Sequence, residues 1–327
     1  PEAIPASQFS AAANSLSREL ATRINGAAAI TPVNLLATAL LSAPRQTMEA
    51  DQLLQQLTHL ADLATRTRLD TRLTVTPLSA EEVLAHAALV VGMEPQRHEF
   101  GELWRATDEQ SILLTYYRNN TVHAFVAPAL VARHVATHGP STPESVGVML
   151  EELKALLETE CFVTLGSPPE LADQCLTALA DVGLLDQMEG RFGAPPVASP
   201  NHVALINLAR IAAPMLERFH IVNVLIEGAD VADGPASVGD LETEAAAVAR
   251  RLSAIYGLNS PSFFDQSLFT AYLGSLRADD LVRVTAGKVT PDTAHARLSA
   301  TIADMIDADV RYQVAHAVTQ ARASALT

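Results

Sequence analysis

The sequence predicts a mainly α-helical protein, a multi-helix fold in which short β-hairpins recur inside helix–hairpin–long helix units of winged-helix-like plan. Three observations predict it. Apolar residues recur at helical spacing along most of the 327 positions, and helix-start signals of the form Ser/Thr-x-x-Glu/Gln punctuate them. Glycine-centred turns between short alternating segments follow several of these helices. The composition, 49% apolar and 18% charged, suits a chain that buries a sizeable core, and the length allows two or three domains.

Residues 1–13 are rich in Pro, Ala and Ser and read as a linker arriving from an upstream domain. Helices are expected at about 14–25 and 32–42, with Gly26 and Pro44 as stops, and a third over 48–68. The uncharged stretch 24–44 is long enough to test as a membrane span. Asn25, Gly26, Thr31, Pro32 and Asn34 interrupt it, so a buried helix opening at Thr31 and Pro32 explains it better. Thr and Pro make 69–78 a loop.

From Ser79 a pattern sets in. Ser79 with Glu82 forms a capping box for a helix that ends at Gly92, an alternating segment over 96–105 turns at Gly101, and Thr107 with Gln110 caps one long helix running through 112–138. The order returns at Ser167, paired with Glu170: a helix stopped by Gly183, an extended pair over 184–192 turning near Gly190, and a long helix over 200–227. A third version opens at Ser260, with a helix through Ser275, a turn at Ala286 and Gly287, and a closing helix over about 292–323. Gly92 and Gly183 lie 91 residues apart, and Gly183 and the equivalent stop at Asp279 lie 96 apart, a repetition of plan and not of residues. Pro128 and Pro214 fall inside two of the long helices and should bend them. Residues 231–239, with Gly234, Pro235 and Gly239, are the expected flexible loop. The division that results is a helical subdomain at 14–166 and a second, with two of the units, at 167–327.

The polar cargo of the 112–138 stretch is its oddest feature: Tyr116, Tyr117, Arg118, Asn119 and Asn120 stand among apolar residues. Arg118 is therefore expected out of open water, its five donors met by the neighbouring amides and phenols. The plain reading is an internal polar network that pins the helix in register. The functional one is a surface facing another domain, with Arg118 near a phosphate.

Other candidate chemistry has simpler explanations. His134 and His138 are one helical turn apart, as zinc ligands can be, but no Glu stands between them, and two imidazoles at a helix C-terminus complement its dipole. Glu151, Glu152, Glu158 and Glu160, or Asp304, Asp307 and Asp309, read as solvated helix faces, and Asp309 with Arg311 as an ordinary ion pair. Cys161 and Cys175 read as buried core thiols in a reducing compartment, since two cysteines make no disulfide framework. There is no G-x-S-x-G elbow and no phosphate-cradling glycine loop, and neither a metal nor a cofactor is expected. A net charge of -15 disfavours nucleic acid and direct docking on an anionic membrane, and the hairpin cations Arg97, Arg105, Arg191, Arg283 and Lys288 are diluted by acids.

Residue chemistry alone stops at a helical, acidic module without a reaction centre. The run LLTYYRNN at 113–120 resembles the C-terminal region of the bacterial glycerol-3-phosphate 1-O-acyltransferase family, as do RINGAAAITPVNLLATALLSAPRQTM at 23–48, VARRLSAIYGLNSPSFFDQSLF at 248–269 and DADVRYQVAHA at 307–317. These segments spread over nearly the whole chain. The family's signature, a His followed after four residues by an Asp, is missing at all ten histidines. The resemblance therefore implies a C-terminal, non-catalytic part, inactive alone, with no catalytic residue in this chain. It would support an upstream acyltransferase domain that moves an acyl group from acyl-CoA or acyl carrier protein to the sn-1 hydroxyl of glycerol 3-phosphate, in phospholipid synthesis. In that setting the intact enzyme associates with the cytoplasmic face of the cell membrane, and Tyr116 to Asn120 form an interdomain or structural network. A helical protein–protein interaction or regulatory module is the alternative.

Overall fold

The computed structural model describes residues 9–99, 101–232, 236–256 and 265–325. Helix makes up 69% of it, with a few short strands. The first part holds α1 (Phe9–Gly26), β1 (Ala29–Ile30), α2 (Pro32–Ser42), β2 (Thr47–Glu49), α3 (Ala50–Arg66), β3 (Thr74–Val75), α4 (Ala80–Val91), β4 (Gln96–His98), β5 (Gly101–Arg105), α5 (Asp108–Asn119), α6 (Val126–His138) and α7 (Pro143–Glu160). Then come α8 (Pro168–Asp181), β6 (Asp186–Met188), β7 (Arg191–Gly193), α9 (Pro200–Ala209), α10 (Ala213–Ala232), α11 (Val238–Tyr256), α12 (Gln266–Ala278), β8 (Val282–Thr285), β9 (Lys288–Pro291), α13 (Thr293–Asp304) and α14 (Ala308–Ala325).

The centre of the first half is α2. It opens on a capping box between Thr31 and Asn34 with Pro32 at its first position, and almost every residue along it is buried. A helix apolar on all sides must be covered on all sides, and α3, α4, α5 and α9 pack around it. Leu35, Leu36 and Leu40 are fully buried there, each contributing roughly 2 kcal/mol of apolar transfer. In the second half α10 takes the central place, against α11, α12, α13 and α14.

Helix, hairpin, helix occurs three times among the described residues: α4–β4–β5–α5, α8–β6–β7–α9 and α12–β8–β9–α13. The second and third turns fall at the expected residues, with Gly190 and Gly287 both in the left-handed region, whereas Gly101, the expected turn of the first hairpin, is the first residue of β5 and pairs with His98. The first hairpin gains β2 as a third strand, antiparallel to β5 with Met48 opposite Trp104. A two-residue parallel pair joins β1 to β3, and β3 lies within the 69–78 stretch expected to be loop.

Each of the three long helices is broken. After Asn120 the chain leaves helical geometry at Thr121 (φ -135°, ψ 0°), makes a 3₁₀ turn over Val122–Ala124 and restarts as α6. Pro128 is the third residue of α6 and Pro214 the second of α10. In a first turn the backbone N–H has no intrahelical acceptor, so a proline there removes nothing. These prolines mark new starts, not bends. The closing helix is likewise divided, α13 ending before the buried pair Met305 and Ile306.

The Ser167 capping box does not form: α8 begins Pro168–Pro169, and the Ser167 side chain makes no capping hydrogen bond. Two prolines at the first positions leave fewer donors to cap. The Ser260 start lies outside the described residues; α12 is capped instead by Asp265, which accepts from the Ser267 N–H at 2.9 Å. Of the expected loop at 231–239, residues 231 and 232 continue α10 and Gly239 lies in α11, while 233–235 are outside the described residues. Among the described residues no helix is long and apolar enough to cross a membrane.

Candidate functional site

Four chain segments meet around Arg118. The C-terminal end of α5 brings Arg118 and Asn119, the 3₁₀ turn brings His123, the end of α7 brings Glu160 and Cys161, and the first turns of α10 bring Met215 and Arg218. Between them lies a cavity of about 310 Å³. The break in the long helix makes it possible: a continuous rod would carry residues 121–125 away from α7 and α10.

The tyrosines stand outside it. Tyr116 is 65% exposed and meets Tyr117 edge-on, centroids 5.7 Å apart. The Tyr117 carbonyl accepts from the buried Asn34 amide of α2 at 2.7 Å, so the register of α5 is fixed through backbone and not through phenols. Arg118 is half-buried, and its Nε and Nη2 donate to Asn119 Oδ1 at 3.2 and 3.0 Å. Asn120 is exposed and its N–H donates to the Tyr116 carbonyl at 3.4 Å. Of the acceptors the sequence offers Arg118, Asn119 is the one that reaches it among the described residues.

Three residues that matter here were outside the expected cluster. Arg218 Nη2 donates to Glu160 Oε1 at 2.5 Å, and both side chains are nearly covered, 10% and 14% exposed. Glu160 is thus a buried partner and not a solvated face, which corrects the expectation for that carboxylate. Glu158 caps a turn, accepting from the Leu165 N–H at 2.8 Å. Asn25, from the end of α1, donates to the Cys161 carbonyl at 2.8 Å, and its own carbonyl accepts from His123 Nε2 at 3.1 Å. Nothing local in the sequence marks the contacts of Arg218, Asn25 and His123, because their partners are 58 to 136 positions away.

The electrostatics are uneven. Arg218 has its carboxylate; Arg118 has none among the described residues. Burial, and behind it the like charge of Arg218, lower the Arg118 guanidinium to about 10. Burial also pushes the Cys161 thiol up to about 12, as it does that of Cys175, so both are inert thiols at neutral pH.

Elsewhere the expected residues stand as follows. The His134 and His138 rings lie 4.5 Å apart, and burial followed by the nearby His138 lowers His134 to about 4. No group of three His, Cys, Asp or Glu able to hold a metal occurs among the described residues. Just before α14, Asp307 pairs with Arg133 at 2.7 Å. A second cavity, about 410 Å³, lies between α1 and residues 69–73, and its charges are already paired, Arg23 with Glu19 and Arg72 with Asp70. A buried network that no sequence pattern announces links Asn223 Oδ1 to Tyr272 Oη at 2.8 Å and His295 Nε2 at 3.2 Å.

Comparison with known proteins bears on all of this. A family described as glycerol-3-phosphate acyltransferase C-terminal region matches residues 1–285. Glycerol-3-phosphate acyltransferases of Pseudomonas aeruginosa (strain UCBPP-PA14) and Pseudomonas paraeruginosa (strain DSM 24068 / PA7) are each 32% identical over 265 residues, covering 80% of this chain and 32% of the relative. The chain therefore spans about a third of the length of these relatives.

Proposed function

The chain belongs to the family of glycerol-3-phosphate acyltransferase C-terminal regions, and from that premise we propose that it is the non-catalytic, supporting part of such an enzyme. The family match over residues 1–285 carries this reading. In it, an acyltransferase domain outside these residues supplies the imidazole and carboxylate that activate the sn-1 hydroxyl of glycerol 3-phosphate towards the thioester of acyl-CoA or acyl carrier protein. The sequence supports it, since none of its histidines has an Asp five positions on.

Two surfaces suit the docking of such a domain. Along α1, Phe9, Leu16, Leu20 and Ile24 are all more than half exposed, and at the outer side of α5 so are Ile112 and Tyr116. Apolar residues that recur on one exposed side of a helix have the character of a contact face. Tyr116, Asn119 and Asn120 belong in this reading to the interdomain contact, with Tyr117 and Arg118 behind them. The intact enzyme works at the cytoplasmic face of the membrane, and the two helical subdomains, 14–166 and 167–327, form one platform for it.

Acyl transfer from acyl-CoA to glycerol 3-phosphate by this chain alone tests the reading. No turnover above a heat-inactivated control is expected, and measurable turnover would overturn it. In an enzyme that includes the acyltransferase domain, Tyr116→Ala should weaken the association of the two parts while leaving the unfolding midpoint of this chain unchanged.

A further inference from the structure

We propose that the cavity between α5, α7 and α10 is an anion-binding site that takes a small phosphomonoester with a short aliphatic part, its phosphate on the Arg118 guanidinium. The proposal goes beyond the supporting role and does not depend on it.

Charge is the first argument. The cavity wall carries two guanidiniums, Arg118 and Arg218, against one carboxylate, Glu160, a local surplus of positive charge in a chain of net charge -15. Arg218 is spent on Glu160 at 2.5 Å. Arg118 instead rests on a neutral amide oxygen, Asn119 Oδ1, which leaves Nη1 without a partner among the described residues. Half-buried guanidiniums are stabilised when a carboxylate or phosphate meets the planar fork, and none of the described carboxylates does so here. The lowered pKa of Arg118, set by burial and by Arg218, is what a cation waiting for its counter-charge shows.

Shape and polarity narrow the ligand. At about 310 Å³ the space is at the small end of ligand pockets, roughly 300–1,000 Å³, enough for a phosphate group and a few carbons. Beside its polar groups the cavity is lined by the apolar side chains of Val126, Ile211, Met215 and Leu268. An inorganic ion would leave that wall wet; an aliphatic phosphate covers it. A carboxylate from another protein domain would also answer the charge, and the test separates it.

Titration calorimetry on the 327-residue chain, with butyl phosphate, inorganic phosphate, glycerol 3-phosphate and butanoate at fixed ionic strength, decides the matter. Butyl phosphate should bind at least about tenfold more tightly than inorganic phosphate or butanoate, and Arg118→Ala should weaken it by about tenfold or more (about 1.4 kcal/mol per decade). Arg118→Lys, which keeps the charge and loses the fork, should fall between. Circular dichroism confirms that the variants are folded. Glycerol 3-phosphate binding as tightly as butyl phosphate would retain the phosphate site and overturn the aliphatic part. Binding that survives Arg118→Ala in a folded variant overturns the site, as does an absence of binding by every phosphate. Weakened association with an acyltransferase domain in Arg118→Ala, without phosphate binding, would assign the cation to a protein carboxylate. None of these outcomes touches the family membership or the lack of turnover.

Discussion

At the scale of single residues, the exclusion of Arg118 from open water was legible, because it is set among Leu113, Leu114 and Tyr117. Its surroundings were not. Arg218 lies 100 positions later, and no local pattern tells that Glu160 is drawn inward to it while Glu151 and Glu152 stay on the surface. Asn34 shows the same limit. The sequence marks it only as an interruption of an apolar run, yet it completes the Thr31 cap and holds the Tyr117 carbonyl. Asn34→Ala should therefore cost about 2–3 kcal/mol in urea unfolding, the sum of a lost cap and an orphaned buried carbonyl, while Asn119→Ala, which removes the acceptor of the half-buried Arg118 on the exposed side of α5, should cost less, about 0.5–1.5 kcal/mol. Glu217 offers a pH test. Burial, then Asp307, raise its carboxyl from 4.5 to about 7, with Asp309 adding to this and Arg133 and Arg218 opposing it. Folded and unfolded chains are both protonated there below about pH 4.5. As pH rises from 4.5 to 7 the unfolded chain ionises first, so this group's contribution to stability is lost across that window and stays lost above it. Glu217→Gln removes the dependence: the variant should gain on the natural chain by about 1–3 kcal/mol between pH 4.5 and 8, discounted for partial exposure. The neighbouring His220, lowered to about 4 by burial and Arg311, acts in the opposite direction, but it is common to both proteins and cancels from their difference.

At the scale of elements, the starts and stops with a local chemical cause were the most legible. Thr31, Ser79 and Thr107 each cap a helix as their spacing predicts, and Gly92 and Gly183 end theirs in the left-handed region at φ 69° and 76°. Continuity was not legible, since an unbroken apolar pattern from 112 to 138 does not reveal that the chain turns between Asn119 and Val126. Helical period survives a break when both pieces bury a face. Two glycine variants test the caps. Gly92→Ala meets open space, so its cost is the backbone conformation alone, about 1 kcal/mol. At Gly183 a Cβ would also stand 3.1 Å from Asn201 Nδ2. Asn201 accepts from Gln55 of α3 at 2.6 Å, so Gly183→Ala should cost more than Gly92→Ala by roughly the 1 kcal/mol of a weakened hydrogen bond. Pro214→Ala, at the second residue of α10, should change stability by less than about 1 kcal/mol. A proline bending a continuous helix would instead stabilise markedly when replaced, and chemical denaturation of the variant separates the two.

At the scale of the whole molecule, the mainly helical class was readable from period and composition, but the way the pieces lean on one another was not. The buried apolar residues form one cluster that runs from Ile30 to Val318. Across the boundary at 166, α7 packs on α8, α12 and α13, and α6 on α8 and α9. Arg133 of α6 ties the far end, donating to the Met305 carbonyl at 2.6 Å and to Asp307 at 2.7 Å. Contacts of this kind make the two proposed subdomains depend on each other, because separating them would bare the inner faces of α6 and α7, where Leu130, Val131, Val146 and Leu150 are almost fully buried. Exposing those four side chains alone would cost roughly 6 kcal/mol or more, comparable with the whole stability of an ordinary domain. The expected result is a single cooperative transition in urea. The chain has one tryptophan, Trp104, nearly buried on β5 in the first half, so its fluorescence reports that half, while far-ultraviolet circular dichroism reports the helices of both. The two curves should share one midpoint and one slope. A fluorescence transition complete before the helical signal has moved by more than half would mean that the halves unfold separately, and would remove the single platform on which the supporting role depends.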